Sequence, residues 1–312
     1  MTRRDFIAGG AAVCALGLNG ADGQHGGIKV RFLGSGAAGW NKHMEAAGQR
    51  RCSSVILDDK VVIDFIGCGF DKLPAGTAVE ALFITHSHGD HYDAKAAVRL
   101  GPKRLYVQET WAAAAKKHIA DAAAELCLPA PEVIALPFGK KVVECGIAFT
   151  GVPSNHSTSR VTDGVLERTS MYLAEKGSTR LLYATDTGGI PGDAARMLGI
   201  DLHIGNRDVE ANGHFAGNPF VRRPEPLTAI IMEATDGPED EDMRLFVHSS
   251  VQVVSRTVNM LRKTKRYCPP EGQFVYLTHL GVRYRSWPSE KIEAELPAGL
   301  KAAYDGLEVV FK

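Results

Sequence analysis

Thr85-His86-Ser87-His88-Gly89-Asp90-His91 follows directly on the apolar run Ala81-Leu82-Phe83-Ile84. Three imidazoles and a carboxylate this close together are costly to bury without a cation or a charge partner. In extended chain leaving a strand, side chains two apart share a side, which groups His86 with His88. Asp90 and His91 then face a neighbouring position. A nitrogen-rich site beside one that includes a carboxylate suits borderline cations such as zinc, and less specifically manganese or iron.

On both sides of this segment, hydrophobic alternation predicts strands, at Ile28–Leu33, Ser54–Leu57, Val61–Phe65 and Ala81–Ile84. Helices are expected at Ala94–Leu100 and over the alanine-rich Trp111–Leu126. A second group of strands is expected at Lys141–Val152, Ser170–Ala174 and Arg180–Tyr183, with a helix after Pro191. Strands at Thr228–Met232, Phe274–Leu277 and Leu307–Phe311 and a helix over Ser249–Lys263 complete the pattern. The polar, Gly- and Pro-rich stretch 203–226 reads as a long loop or insert. Two runs of strands, each followed by helices, predict an α/β domain over 28–312, with two sheets face to face and helices outside.

The 312 residues carry balanced charge, net +0, and 45% are apolar. That suits an enzyme with an ample core and gives no basic bias toward nucleic acid. No apolar run is long enough for a mature membrane span. At the N-terminus, Thr2-Arg3-Arg4-Asp5-Phe6 precedes a mildly apolar stretch from Ile7 to Leu18. Residues 1–27 therefore read as a twin-arginine export signal and linker, which places the mature chain in the periplasm. The six cysteines form no Cys-x-x-Cys pair, so scattered buried thiols are expected in place of a disulfide framework or zinc cluster.

His86-x-His88-x-Asp90-His91 resembles the signature of the metallo-β-lactamase superfamily. Asn155-His156-Ser157, Thr185-Asp186-Thr187 and Thr278-His279-Leu280 resemble its later motifs, in order and each at an expected strand end. The resemblance implies a four-layer αββα sandwich with mixed sheets. It also implies that His86, His88 and His156 hold one divalent metal ion and Asp90, His91 and His279 a second, with Asp186 between the two. A carboxylate at 186, where true β-lactamases carry a cysteine, argues against antibiotic hydrolysis.

Within the superfamily, Thr185–Pro191 and the tail Leu296–Val309 resemble the cyclic-phosphate phosphodiesterase of phosphonate breakdown, over roughly residues 28–312. Glu233-Ala234-Thr235, His248-Ser249-Ser250 and Thr278–Tyr284 are similar to the tRNA-processing endonucleases. This implies a phosphodiesterase in which a hydroxide held between two metals attacks phosphorus, with zinc the expected cation. Asp90 would orient or deprotonate the water, and His248 would act as general acid or electrophile. Arg283 is a candidate for holding a phosphate oxygen. The Cys-rich loop of the first group is missing here, and no basic arm for gripping tRNA stands out, so the expected partner is a small phosphodiester. A homodimer is left open. Two other readings use the same site: a lactone, thioester or amide hydrolase, and a non-catalytic metal-binding accessory protein.

Overall fold

A computed structural model describes residues 26–38, 40–201, 225–237 and 246–312. The export-signal segment, apart from residues 26 and 27, and residues 202–224 of the expected insert lie outside the described residues. Among those described, no helix is long and apolar enough to cross a membrane.

The first sheet takes β1 (Ile28–Gly34), β2 (Ser54–Leu57), β3 (Val61–Ile63), β4 (Ala81–Phe83), β5 (Arg104–Gln108), β6 (Glu132–Leu136) and, from the far end of the chain, β16 (Glu308–Phe311). Its order is β16-β1-β2-β3-β4-β5-β6. The first three pairings are antiparallel and the last three parallel. The second sheet repeats that layout with β7 (Lys141–Glu144), β8 (Ile147–Pro153), β11 (Ser170–Lys176), β12 (Thr179–Ala184), β13 (Ala229–Glu233), β14 (Val275–Thr278) and β15 (Leu300–Ala302). Its order is β15-β14-β13-β12-β11-β8-β7, with β12 to β15 mutually parallel. A small hairpin, β9 (Val161–Thr162) and β10 (Val165–Leu166), stands apart from both sheets.

Alternation along the strands produces three apolar layers. Val61 and Ile63 face the other sheet, where they join Phe83, Phe149, Tyr172 and Tyr183, whereas Val62 faces outward with Leu82. After the short α1 (Lys42–Ala46) in the chain come α2 (Ala94–Leu100) and α3 (Ala112–Leu126), which pack on that outer face through Ala97, Ala115 and Ile119. The second sheet is covered by α4 (Gly192–Leu198) and α5 (Val251–Lys263), whose Leu198, Val254 and Val258 meet Leu182, Ile230 and Met232. Helix, sheet, sheet, helix is the expected sandwich of mixed sheets. At its centre, Phe83 stacks on Tyr106 and Phe149 at 4.5 and 4.3 Å and meets Tyr172 edge-on at 5.3 Å.

Several expected elements differ. The strand expected over Val61–Phe65 stops at Ile63, because Asp64 adopts a left-handed backbone (φ +56) and turns out of the sheet. Lys141–Val152 is a hairpin of two strands, turned at Cys145 and Gly146, both with positive φ. The helix expected from Ser249 begins at Val251 behind an Ser250 cap that accepts from Val253 N, so His248 lies before the helix. Strands β5, β6 and β15 were not expected. The cysteines are less buried than expected: Cys52 is buried, but Cys127, Cys145 and Cys268 are exposed. Cys127 and Cys145 occupy left-handed positions, at the end of α3 and in the turn between β7 and β8.

Candidate metal centre

All seven expected metal-ligand residues come together at one edge of the two-sheet core. The segment after β4 is fixed from behind by Asp64. This buried carboxylate accepts from Thr85 N (2.8 Å), Thr85 Oγ1 and His91 Nδ1 (2.8 Å). With its proton given to Asp64, the Thr85 hydroxyl can only accept from His86 Nδ1, 3.0 Å away. The second sheet clamps the same segment, through Ser170 N to Thr85 O (2.9 Å) and Tyr172 OH to Ile84 O (2.7 Å).

Each remaining residue follows the end of a second-sheet strand: His156 after β8, Asp186 after β12 and His279 after β14. Asp186 and His279 have positive φ (+48 and +50), which few side-chain-bearing residues adopt, and strain of this kind gathers at functional sites. Gly281 permits the last turn, since a Cβ there would sit 1.9 Å from Thr235 O. His86 Nε2 lies 2.9 Å from His88 Nδ1, and His156 Nε2 is 3.2 Å from that same atom. His91 Nε2 and His279 Nε2 approach to 3.1 Å, with Asp90 Oδ2 3.6 and 3.4 Å away. Asp186 lies between the groups: Oδ2 is 2.9 Å from His91 Nε2, and Oδ1 is 3.7 Å from His156 Nε2.

A second buried carboxylate stands behind the other side. Glu233, fully buried, accepts from Thr187 N, Thr235 Oγ1 and His248 Nδ1 (2.9 Å). Thr235 Oγ1, its proton given to Glu233, accepts from His279 Nδ1 at 2.7 Å. His156 Nδ1 donates to Val247 O at 3.1 Å. Ser249 ties the His248 segment to the Asp186 turn by donating to Thr187 O (2.7 Å) and accepting from Gly189 N (3.1 Å).

A family model described as a β-lactamase superfamily domain matches residues 67–223, just over half of the chain. The chain belongs to the β-lactamase superfamily. Among solved structures, one described as a diphosphatase from the PhnP family is 21% identical (91% of this chain, 98% of that one, TM-score 0.55). The metallo-β-lactamase fold protein YhfI from Bacillus subtilis is 15% identical (91% and 99%, TM-score 0.56). Zn(2+)-bound PqqB from Methylobacterium extorquens is 16% identical (90% and 99%, TM-score 0.58). These likenesses establish the fold. No curated protein sequence matches the chain.

The donor set of this superfamily member fits divalent cations. The outer hydrogen bonds of His91, His156 and His279 take the Nδ1 protons, so in the neutral rings the inward Nε2 atoms carry lone pairs. Lone pairs facing one another at about 3 Å repel unless a cation lies between them. Asp186 Oδ2 is buried and has no hydrogen-bond donor unless His91 Nε2, 2.9 Å away, carries a proton. Burial, with the neighbouring imidazoles, pushes His86 well below the ordinary histidine pKa, and burial likewise lowers His88 and His156. Those three are neutral, the form that ligates. Burial would also lower His91, but Asp186, Asp90 and Asp64 together raise it well above the ordinary value. Burial would raise Asp186, yet His279 and His91 hold it well below the usual carboxylate range. The second half of the centre thus demands positive charge.

The wall of the cavity at this centre, about 350 Å³, includes His88, Asp90, His156, Asp186, His248 and His279. Burial lowers the His248 pKa, but its bond to Glu233 more than offsets this and lifts it to about 9. Arg283 is exposed, with its guanidinium 5.9 Å from the centre of the Trp287 ring, and does not line this cavity. Sequence reasoning missed Asp64, Arg160 and Glu167. The last two grip the His-containing segment: Glu167 accepts from Ser87 N and Oγ, and Arg160 donates to Ser87 O and Oγ. His43 and His118 are exposed on helices and join neither donor group.

Proposed function

We propose that the chain is a dinuclear-metal phosphodiesterase. His86, His88 and His156 would hold one cation and Asp90, His91 and His279 the other, with Asp186 shared and zinc the expected metal. When bound, such a pair acts as a Lewis acid toward a phosphoryl oxygen and lowers the pKa of water. Asp90, in the cavity wall, orients the attacking water. His248 gives its proton to the departing alkoxide oxygen as the P–O bond breaks, so that one water yields a phosphomonoester and an alcohol. The observation that carries this reading is His248. Its Nδ1 is tied to Glu233, yet the ring lines the same cavity as both donor groups. A thioester hydrolase, whose thiolate leaves without a proton, has less need of a separate acid beside two cations. We further propose export, on the twin-arginine pattern at Arg3-Arg4.

The test is metal analysis combined with a substrate panel. The zinc-loaded protein is expected to hydrolyse bis(p-nitrophenyl) phosphate faster than any of a set of lactones. Asp186→Asn is expected to lower both metal content and turnover, the latter by roughly a hundredfold. Rapid lactone hydrolysis without phosphodiester cleavage would overturn the reading. Full activity and two retained cations in the variant would remove Asp186 from its role.

A further inference from the structure

Beyond the metal cavity lies a trench that the proposed reaction leaves unused. The metal cavity shares Gly89 and Asp90 with a second depression, which also includes Trp40 and Cys68. Trp40 is in turn shared with a third depression of about 280 Å³, which includes Gln49, Arg51, Arg285, Trp287 and Tyr304. Arg285 Nη2 reaches Ala38 O at 3.4 Å, and Ala38 lines the metal cavity, so the outer pocket adjoins the centre.

The chemistry of this outer pocket differs from that of the centre. Two of the chain's three tryptophans line it, both half-buried, together with the exposed Tyr304. Its arginines are already engaged. Arg51 pairs with Asp71 and Asp305 and covers the Trp40 ring at 5.3 Å, while Arg50 donates to Ser35, Ala303, Trp287 and Ser289. Among the described residues, the pocket also borders Lys291, whose Nζ lies 3.6 Å from the centre of the Trp287 ring. Its aromatic walls suit a planar ring, and Gln49 and Tyr304 offer an amide and a phenol to a ring edge with donors and acceptors.

We propose that the trench binds the base of a nucleoside, so that the substrate is a nucleoside phosphodiester with its phosphorus at the metal centre. The inference rests on the phosphodiesterase reading. Stacking on tryptophan explains why the pocket is aromatic, and one such stack is worth about tenfold in affinity.

The probes are adenosine 5′-monophosphate and ribose 5-phosphate, titrated into the zinc-loaded protein by calorimetry and tryptophan fluorescence. Trp111 is buried under α3's layer, 1% exposed, so quenching reports on Trp40 and Trp287. The nucleotide is expected to bind about tenfold more tightly than the sugar phosphate and to quench. Trp40→Ala and Trp287→Ala are expected to erase that preference, and Trp40→Phe and Trp287→Phe, which keep a ring, to retain most of it. Equal binding of the two probes, or a preference unchanged in both alanine variants, overturns the proposal. Base-dependent binding without phosphodiester hydrolysis keeps this subsite and rejects the reaction; hydrolysis without base preference does the reverse.

Discussion

The two halves of the metal centre are backed by the same device, built twice from unrelated sequence. On the first sheet, Asp64 takes the Thr85 hydroxyl, which accepts from His86, and also takes His91 directly. On the second, Glu233 takes the Thr235 hydroxyl, which accepts from His279, and also takes His248 directly. In each case a buried carboxylate and a threonine fix the tautomers of two histidines. The difference lies in where those histidines face. In the assignment proposed above, His86 and His91 both hold cations, whereas on the Glu233 side only His279 does and His248, though within reach of Asp186, is left for the substrate. The first pair is thus expected to act on metal affinity alone, and the second on metal affinity and chemistry together.

The largest expected effect comes from breaking the first pair. Asp64→Ala strands the Thr85 N–H and hydroxyl and the His91 Nδ1–H inside the core, at about 1–3 kcal/mol for each donor left unpaired. The metal-free protein should lose about 3 kcal/mol in urea unfolding, and metal affinity should fall by roughly 10–100-fold. Unchanged metal affinity would show that the tautomer of His91 is set by something else. Next comes Glu233→Gln, which keeps the shape but weakens the hold on His248. Here kcat is expected to fall by about a hundredfold for a diester with an alkyl leaving group, and much less for p-nitrophenolate, which leaves without a proton. Equal losses on both esters would remove the general-acid role of His248.

How much of this could be read beforehand follows from the same contrast. The first half of the centre is legible because His86, His88, Asp90 and His91 sit on one loop, where three imidazoles cannot pass for core. The scattered His156, Asp186 and His279 are reached only through the resemblance to the superfamily's later motifs, and each does follow the end of a strand. Asp64 stayed hidden inside the run Val61–Phe65, which reads as one apolar strand. Its signal was a charged residue at a position that alternation turns toward buried neighbours, and only the left-handed φ shows why it is tolerated. Arg160 and Glu167 belong to a hairpin of two-residue strands, too short for any periodicity to mark. Thr85 and Thr235 were visible as letters but not as relays, because a hydroxyl's role depends on which acceptor lies behind it.

The threonines allow a finer comparison, since each can be removed without touching its carboxylate. Thr85→Val and Thr235→Val keep the β-branched shape and delete the hydroxyl, with its bond to Asp64 or Glu233 and the one it accepts from His86 or His279. Each is expected to weaken metal binding by about tenfold, the lower end of what outer-shell changes cost. Competition with a chromophoric zinc chelator would measure both. If Thr235→Val also lowers kcat at saturating metal while Thr85→Val does not, the asymmetry of the two halves extends to the relays. Equal effects on kcat would confine it to His248.

The smallest expected effect concerns the grip on Ser87 in the first half. Ser87 is held on two sides, its N–H and hydroxyl by Glu167 and its carbonyl and hydroxyl by Arg160. Ser87→Ala removes the hydroxyl bonds but leaves the two to its backbone, so the segment keeps its course between His86 and His88. A net hydrogen bond contributes about 1 kcal/mol, and Arg160 can turn toward solvent when its partner is lost. Stability should fall by about 1 kcal/mol, with metal affinity within about threefold of wild type. A tenfold loss of metal would mean that the spacing of His86 and His88 depends on this side-chain grip. Asp64 and Thr85 would then not suffice to preorganise the loop, and the first half would be the less rigid of the two.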